Sequence, residues 1–267
     1  MHFTKMQGIG NDYVYVNCFR EQVKNPSALA RRISDRHFGV GSDGLVLIEP
    51  CPGYDFRMRM FNSDGSESEM CGNASRCVAR YARERGLTDR DSLVMLTGAG
   101  PIGLQLKTEG GIVSSVRVDM GEPEIDQLGV TADIAGEFRQ LYCISMGNPH
   151  CVVFVQEPEA LDLPAVGPLF EHHPMFPHRT NTEFVKIISE KEIAFRVWER
   201  GAGETLACGT GACAAAVASV LARGCQRELL VHLKGGDLTV TWDEKTNHIY
   251  QEGPAEFVFD GEWPDEE

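Results

Sequence analysis

The chain has 267 residues, enough for one large domain or two of about 130 residues each. Hydrophobic residues make up 42% and charged residues 24%, the balance of a water-soluble globular protein. A net charge of −14 and a pI near 5.0 exclude a surface built to hold nucleic acid or an anionic membrane.

No apolar run reaches the roughly 18 residues that a membrane span needs. The opening MHFTKMQGIGND lacks the basic-then-apolar layout of a secretory signal, so a cytoplasmic protein is expected. The nine cysteines are odd in number and contain no C-x-x-C pair. Neither a disulfide framework nor structural zinc is expected, and most of these thiols read as small core residues.

Taken in chain order, FTKMQGIGNDYVYVNCF reads as strand, glycine turn and alternating strand, with Asn11 and Asp12 in the turn. Residues 26–36 read as a short helix capped by Gly39, and 45–49 and 56–61 as strands. Residues 73–85 form a helix with an apolar stripe of Ala74, Cys77, Val78, Tyr81 and Ala82, ended by Gly86. Short strands fill 93–120, and PEIDQLGVTADIAGEF (123–138) reads as the connection to the second half. That half repeats the plan: strands at 141–145 and 151–155, a helix around 158–173, and strands at 183–188 and 193–198. A helix at 209–223 and strands to 259 follow, and EWPDEE is a solvated acidic end.

The two halves share an internal repeat. GND (10–12) matches GNP (147–149), and CGNASRC (71–77) matches CGTGAC (208–213), both pairs 137 residues apart. At the same spacing Asn62 falls opposite Glu199 and Gly44 opposite Asn181. The chain therefore reads as two homologous domains, 1–119 carrying Cys71 and 120–267 carrying Cys208. The boundary is set to within about ten residues, with the final tail free to pack on the first domain.

Two motifs are set aside. GVGSDG (39–44) has the spacing of a dinucleotide loop, but a helix precedes it and a strand follows, the reverse of what that loop requires. His172, His173 and His178 lie in HHPMFPHR, where two prolines forbid the helix that would align metal ligands. His150 stands beside the repeated Asn148 and reads either as a hydrogen-bonded structural residue or as a site residue.

The chemistry concentrates on the two Cys-Gly helix starts. A helix N-terminus presents unpaired N–H groups and the positive end of the dipole. A thiol there is expected to have a lowered pKa. A carboxylate docks on the amides of 72–73 and 209–210, where glycine permits close approach. Two thiols acting on opposite faces of the carbon beside that carboxylate invert its configuration, one removing a proton and the other delivering one, with no metal or added cofactor. The helix TGACAAAVASVLA is small or apolar all round and should be buried on every side, a rigid mount for Cys208. Glu199 and Arg200, nine and eight residues before it, read as an ion-pairing dyad suited to an amino-acid end group.

With these residues assembled, the chain resembles the diaminopimelate epimerases nearly end to end. The resemblance rests on FTKMQGIGNDYVYV, GVGSDGLVLI, MRMFNSDGSESEMCGNASRC, SMGNPHCVVFV, NTEFVKI and VWERGAGETLACGTGACAAAVA. It implies a mixed α/β fold of two pseudo-symmetric domains, each a mostly antiparallel, barrel-like sheet around a central helix, with the active site in the cleft between them. It also implies a cofactor-independent isomerase of lysine and peptidoglycan precursor synthesis that interconverts LL- and meso-2,6-diaminopimelate, often as a homodimer. Cys71 and Cys208 match the catalytic pair, with Cys208 the proton acceptor from the LL isomer. Gly72, Asn73, Gly209 and Thr210 match the carboxylate clamp. Asn11, Asn62, Asn148, Asn181, Glu199 and Arg200 match pocket residues, and His150 and Glu199 match positions that tune the thiols.

Three positions depart from the family pattern. Gly44 stands where many members carry a substrate-contacting Gln, Asn73-Ala-Ser replaces Asn-Gly-Ala, and Thr210 replaces Ser. Three other readings compete. A racemase of another amino acid shares the cysteine pair but lacks use for Arg200 and Glu199. A thiol-nucleophile hydrolase needs a His base, for which His150 is the candidate. A non-enzymatic binding module requires the paired cysteines to be coincidental.

Overall fold

The computed structural model describes residues 1–264; the end of the acidic tail, 265–267, lies outside the described residues. The chain forms two compact units, Met1–Asp119 together with the chain from Gly253 onward, and Met120–Glu252.

In the first unit, β1 (His2–Gly8) and β2 (Asn11–Asn17) pair antiparallel across a two-residue turn. Ile9 and Gly10 both have positive φ there, 48° and 87°, as the right-handed twist of a tight hairpin requires. A β-branched residue is a costly choice for that conformation, and the strain sits two residues from Asn11. Helix α1 (Pro26–Ile33) starts on Asn25, whose side chain accepts from Ala28 N at 3.1 Å, with Pro26 at its first position. It ends earlier than the sequence pattern predicts because Asp35 draws the amides of His37 and Phe38 into a local turn. The chain returns as β3 (Gly44–Glu49), parallel to β2, and β4 (Phe56–Asn62) pairs antiparallel with β3. After the short β5 (Glu67–Ser68) comes α2 (Gly72–Glu84), then the meander β6 (Ser92–Thr97), β7 (Gly100–Glu109) and β8 (Ile112–Asp119).

The second unit repeats this order. β9 (Glu124–Ile134) and β10 (Glu137–Ser145) form a long antiparallel hairpin. Segment 123–138, expected as a linker, is thus one strand and the start of the next. Its exposed, acidic sequence hides the alternation, and Ala135 and Gly136, both at positive φ, make the turn. β11 (Pro149–Phe154) follows β10 antiparallel. The helix expected around 158–173 is a 3-10 turn at Pro158–Ala160 followed by α3 (Leu163–Glu171), because Pro164 has no amide to continue a helix from Ala160 and sits instead in the first turn of α3. β12 (Asn181–Ser189) returns parallel to β11, and β13 (Glu192–Glu199) pairs antiparallel with it. β14 (Gly203–Glu204), α4 (Gly209–Arg223), β15 (Glu228–Leu233), β16 (Gly236–Trp242) and β17 (Ile249–Gly253) complete the plan. The last strand, β18 (Glu256–Glu262), pairs with β1, the place that β9 takes beside β10.

The repeat holds at single-residue register. Tyr13 pairs with Gly44 as His150 pairs with Asn181, and Leu45 with Phe61 as Thr182 with Trp198. The cores correspond too: Val14, Val16, Ile33 and Leu47 occupy one cluster, Cys151, Val153, Phe170 and Phe184 the other. The fold is therefore mixed α+β, mostly antiparallel sheet with few helices, and pseudo-symmetric.

Within its unit α4 packs against β9 to β13, β15 and β16, and residues 211–219 are all buried. A helix of small residues is what lets strands approach on every side. The last turn emerges to solvent at Leu221. Helix α2 packs on β1, β2, β7 and β8. Its expected stripe is buried, and so are its polar residues Asn73, Ser75 and Arg76. Gly86 adopts φ 73° beyond its end and Leu87 N bonds Ala82 O at 2.8 Å, a Schellman-type stop.

Gly44 has a packing reason. A Cβ there would lie 2.0 Å from Phe61 O on β4 and 2.7 Å from the Tyr13 ring. No side chain fits without moving a strand. Gly44→Ala is expected to lower stability by about 1–3 kcal/mol in thermal or denaturant unfolding; an unchanged midpoint contradicts this packing.

Candidate active site

Each unit ends a strand near a polar residue and launches its central helix from a cysteine. Cys71 and Cys208 are the N-cap residues of α2 and α4, both extended, with φ/ψ of −145°/121° and −123°/109°. Neither side chain caps its helix. A Ser or Asp at these positions would fold back onto the first amides; cysteine leaves the amides of Gly72 and Asn73, and of Gly209 and Thr210, without a side-chain cap.

In the first unit, Cys71 Sγ donates to Asn11 Oδ1 at 3.4 Å. Asn11 is held in turn, its Nδ2 donating to Asp43 Oδ2 at 2.9 Å, and the same oxygen accepts from Asp12 N at 3.0 Å. Arg36 bridges Asp12 and Asp43 at 2.8 and 3.0 Å, and buried Lys5 pairs with Asp12. Burial favours neutral Asp12, but hydrogen bonds from Arg36 and Lys5 outweigh it and hold its pKa below the usual value. Burial, with the adjacent Asp12 charge, raises that of Asp43. The glycine-rich segment 39–44 thus serves as the mount for Asp43 and, through it, for Asn11. Asn73 turns its side chain away from the helix start: its Oδ1 accepts from Arg76 Nη2 at 2.9 Å. Asn62 closes β4 and donates to Ser66 Oγ at 3.0 Å in the following turn.

The second unit gathers more of the expected residues around its thiol. Cys208 Sγ lies 3.6 Å from Thr210 Oγ1, which accepts from Asn148 Nδ2 at 3.3 Å. Asn148 Oδ1 is 3.0 Å from His150 Nε2. His150 Nδ1 is 2.6 Å from Glu183 Oε1, both side chains fully buried. Glu199 accepts from Thr205 Oγ1, and Cys208 also hydrogen-bonds its carboxylate. Asn181 ties the site's edges together: Nδ2 donates to Pro149 O and Oδ1 accepts from Arg200 N, both at 2.9 Å. Arg200 donates to His178 O at 3.1 Å. His172, His173 and His178 contribute to no metal-ligating group among the described residues. The one such group, His150, Glu183 and Cys208 with ligand atoms within 4.8 Å of one another, lies in the thiol site itself.

Glu183 was missed by the sequence reading. Its signal was available: it is the lone charge in NTEFV, a stretch buried at all five positions in a strand with partners on both sides. The expectation of a lowered thiol pKa also fails for Cys208. Burial, then the charges of Glu199 and Glu183, push it well above its ordinary value. Burial likewise raises Glu199 and lifts the core thiol Cys77 to about 11.

The fold is similar to that of the probable proline racemase of Agrobacterium radiobacter K84, at 16% identity and a TM-score of 0.75 over 98% of this chain and 92% of that one. It is equally similar to the phenazine biosynthesis protein of the PhzF family from Bacillus anthracis, at 18% identity and a TM-score of 0.74 over 99% of both chains. These place it in an architecture shared by racemases and PhzF-type proteins. The sequence is more specific. The diaminopimelate epimerase family model matches residues 3–125 and 142–258. Diaminopimelate epimerases of Desulfovibrio desulfuricans and Acetivibrio thermocellus are each 53% identical, over 98% of this chain and 98% of theirs. This chain belongs to the diaminopimelate epimerase family.

A thiol buried beside two carboxylates loses its proton only at high pH. Alkylation of Cys208 by iodoacetamide in the substrate-free protein, followed by peptide mass spectrometry, is therefore expected to rise about tenfold per pH unit between about pH 7 and 9. A plateau below about pH 8 contradicts the raised pKa.

Proposed function

We propose that this isomerase interconverts LL- and meso-2,6-diaminopimelate with Cys71 and Cys208 as the two acid–base groups. The observation that carries the reading is the pair of cysteines at the uncapped N-termini of two repeated, buried helices, in a chain half identical to diaminopimelate epimerases over its length. From the LL isomer, the Cys208 thiolate takes the α-proton and becomes a thiol. The C–H electron pair moves toward the neighbouring carboxylate, where the amides of 72–73 and 209–210 stabilise the added charge. The Cys71 thiol gives its proton to the opposite face and is left as thiolate. Atoms and charge balance with no oxidant or further reactant. The reverse reaction exchanges the roles.

The setting of Cys208 suits a weakly acidic substrate carbon. A thiol that is hard to ionise is a strong base once ionised. Glu199 and His150 tune it; Asn11 orients Cys71. Asn62, Asn148, Asn181, Glu199 and Arg200 make up the pocket for the substrate, whose second amino-acid end the charged pair reads. The same reading includes a cytoplasmic role in lysine and peptidoglycan precursor synthesis and assembly as a homodimer.

A racemase acting on another amino acid has no need of residues for a distal end group. In a comparison of kcat/KM, diaminopimelate isomers are expected to exceed single-centre amino acids such as proline by about a hundredfold or more. Faster turnover of proline would overturn the substrate assignment.

A further inference from the structure

Glu183 is the buried charge that the proposed reaction does not use. Its register neighbours on β11 and β13 are Val152 and Val197, and its side chain is fully buried. One oxygen meets His150 Nδ1; the other, Oε2, has no hydrogen-bond partner among the described residues. Half-satisfied buried carboxylates are rare and costly, so one in mid-sheet calls for a reason.

The internal repeat supplies a comparison within the molecule. The positions 137 residues before Glu183 and His150 hold Val46 and Tyr13, both buried in the equivalent register of the first unit. The fold is thus built without a carboxylate or an imidazole at these places. Their joint presence belongs to the second unit's thiol.

Four contacts lead from Glu183 to that thiol: 2.6 Å to His150, 3.0 Å on to Asn148, 3.3 Å to Thr210 and 3.6 Å to Cys208 Sγ. Carboxylate and thiol also converge on one point of the helix. A Cβ at Gly211 would come 2.6 Å from Glu183 Oε1 and 3.2 Å from Cys208 Sγ. Gly211, one turn into α4, leaves the room that the carboxylate fills. A carboxylate only accepts, so His150 Nδ1–H donates to Glu183 Oε1 and Nε2–H donates in turn to Asn148 Oδ1, which leaves Asn148 Nδ2 for Thr210. That sets which way Asn148 presents its amide to Thr210, and so where the Thr210 hydroxyl meets the sulfur.

We propose that Glu183 is a positioning residue: it locks the His150 ring and, through Asn148 and Thr210, the placement of the Cys208 thiol. The inference rests on the reading of Cys208 as an acid–base group. Glu183 itself touches no substrate.

The test uses Glu183→Gln, which keeps shape and an acceptor but removes the charge, and Glu183→Val, which copies the first unit. In the substrate-free protein, proton NMR should show a far-downfield His150 ring proton that moves upfield in E183Q and vanishes in E183V. Cys208 alkylation at fixed pH should change by about fivefold or more in both variants. With diaminopimelate, kcat should fall about fivefold in E183Q and about thirtyfold in E183V, with KM within about twofold. In a His150→Asn background, E183V should cost less than about twofold further, because it acts through that ring. If E183V does not fold, E183Q decides. Unchanged Cys208 alkylation, or losses for E183V and H150N that multiply, would overturn the proposal. Failure of the epimerase reading is separately visible as a wild-type protein inert toward diaminopimelate, while the ring-proton and alkylation measurements still judge Glu183.

Discussion

The structure turns on the start of a helix that its own side chain leaves uncapped. An α-helix presents its first amides without intrahelical partners, and proteins usually satisfy them with Ser, Thr, Asp or Asn. Here the N-cap is cysteine, twice, and neither makes a side-chain cap hydrogen bond. Around each start the strands fix the helix axis, so that the open amides and the thiol keep a constant relation. Small residues along α4 allow strands to close on it from all sides. That rigidity is what proton transfer over a hydrogen-bond distance demands.

The two half-sites share a frame and differ in electrostatics. Cys71 is half-buried and hydrogen-bonded to a neutral amide, Asn11, which an exposed-to-buried charge network holds in place. Cys208 is buried, flanked by Glu199 and backed by a histidine–carboxylate pair. One repeated fold thus sets its two thiols in different electrostatic surroundings. An enzyme that must run both ways between LL and meso isomers has use for such a difference, since each thiol is base in one direction and acid in the other.

Much of this was legible in the sequence because the relevant signals are local or periodic. The 137-residue spacing of Cys71 and Cys208 survives in the strand register, and the Ala-rich run after Cys208 could only be an interior helix. Signals that depend on tertiary neighbours were not legible. Segment 123–138 is exposed and acidic, so its strand character comes from pairing with β10 and not from its own pattern. Dipole reasoning alone lowers the Cys208 pKa; burial reverses the sign, and the carboxylates of Glu199 and Glu183, 9 and 25 residues away in sequence, add to it.

The central claim is that the two thiols divide one stereoinversion between them. Its most direct test is deuterium incorporation at the α-carbon of LL-diaminopimelate in deuterated water, comparing the wild type with Cys71→Ala and Cys208→Ala. The account predicts that the wild type inverts the centre as it takes up solvent deuterium, and that each substitution alone lowers epimerisation about a hundred- to ten-thousandfold. Retention of epimerisation within about tenfold of wild type by either variant would contradict it.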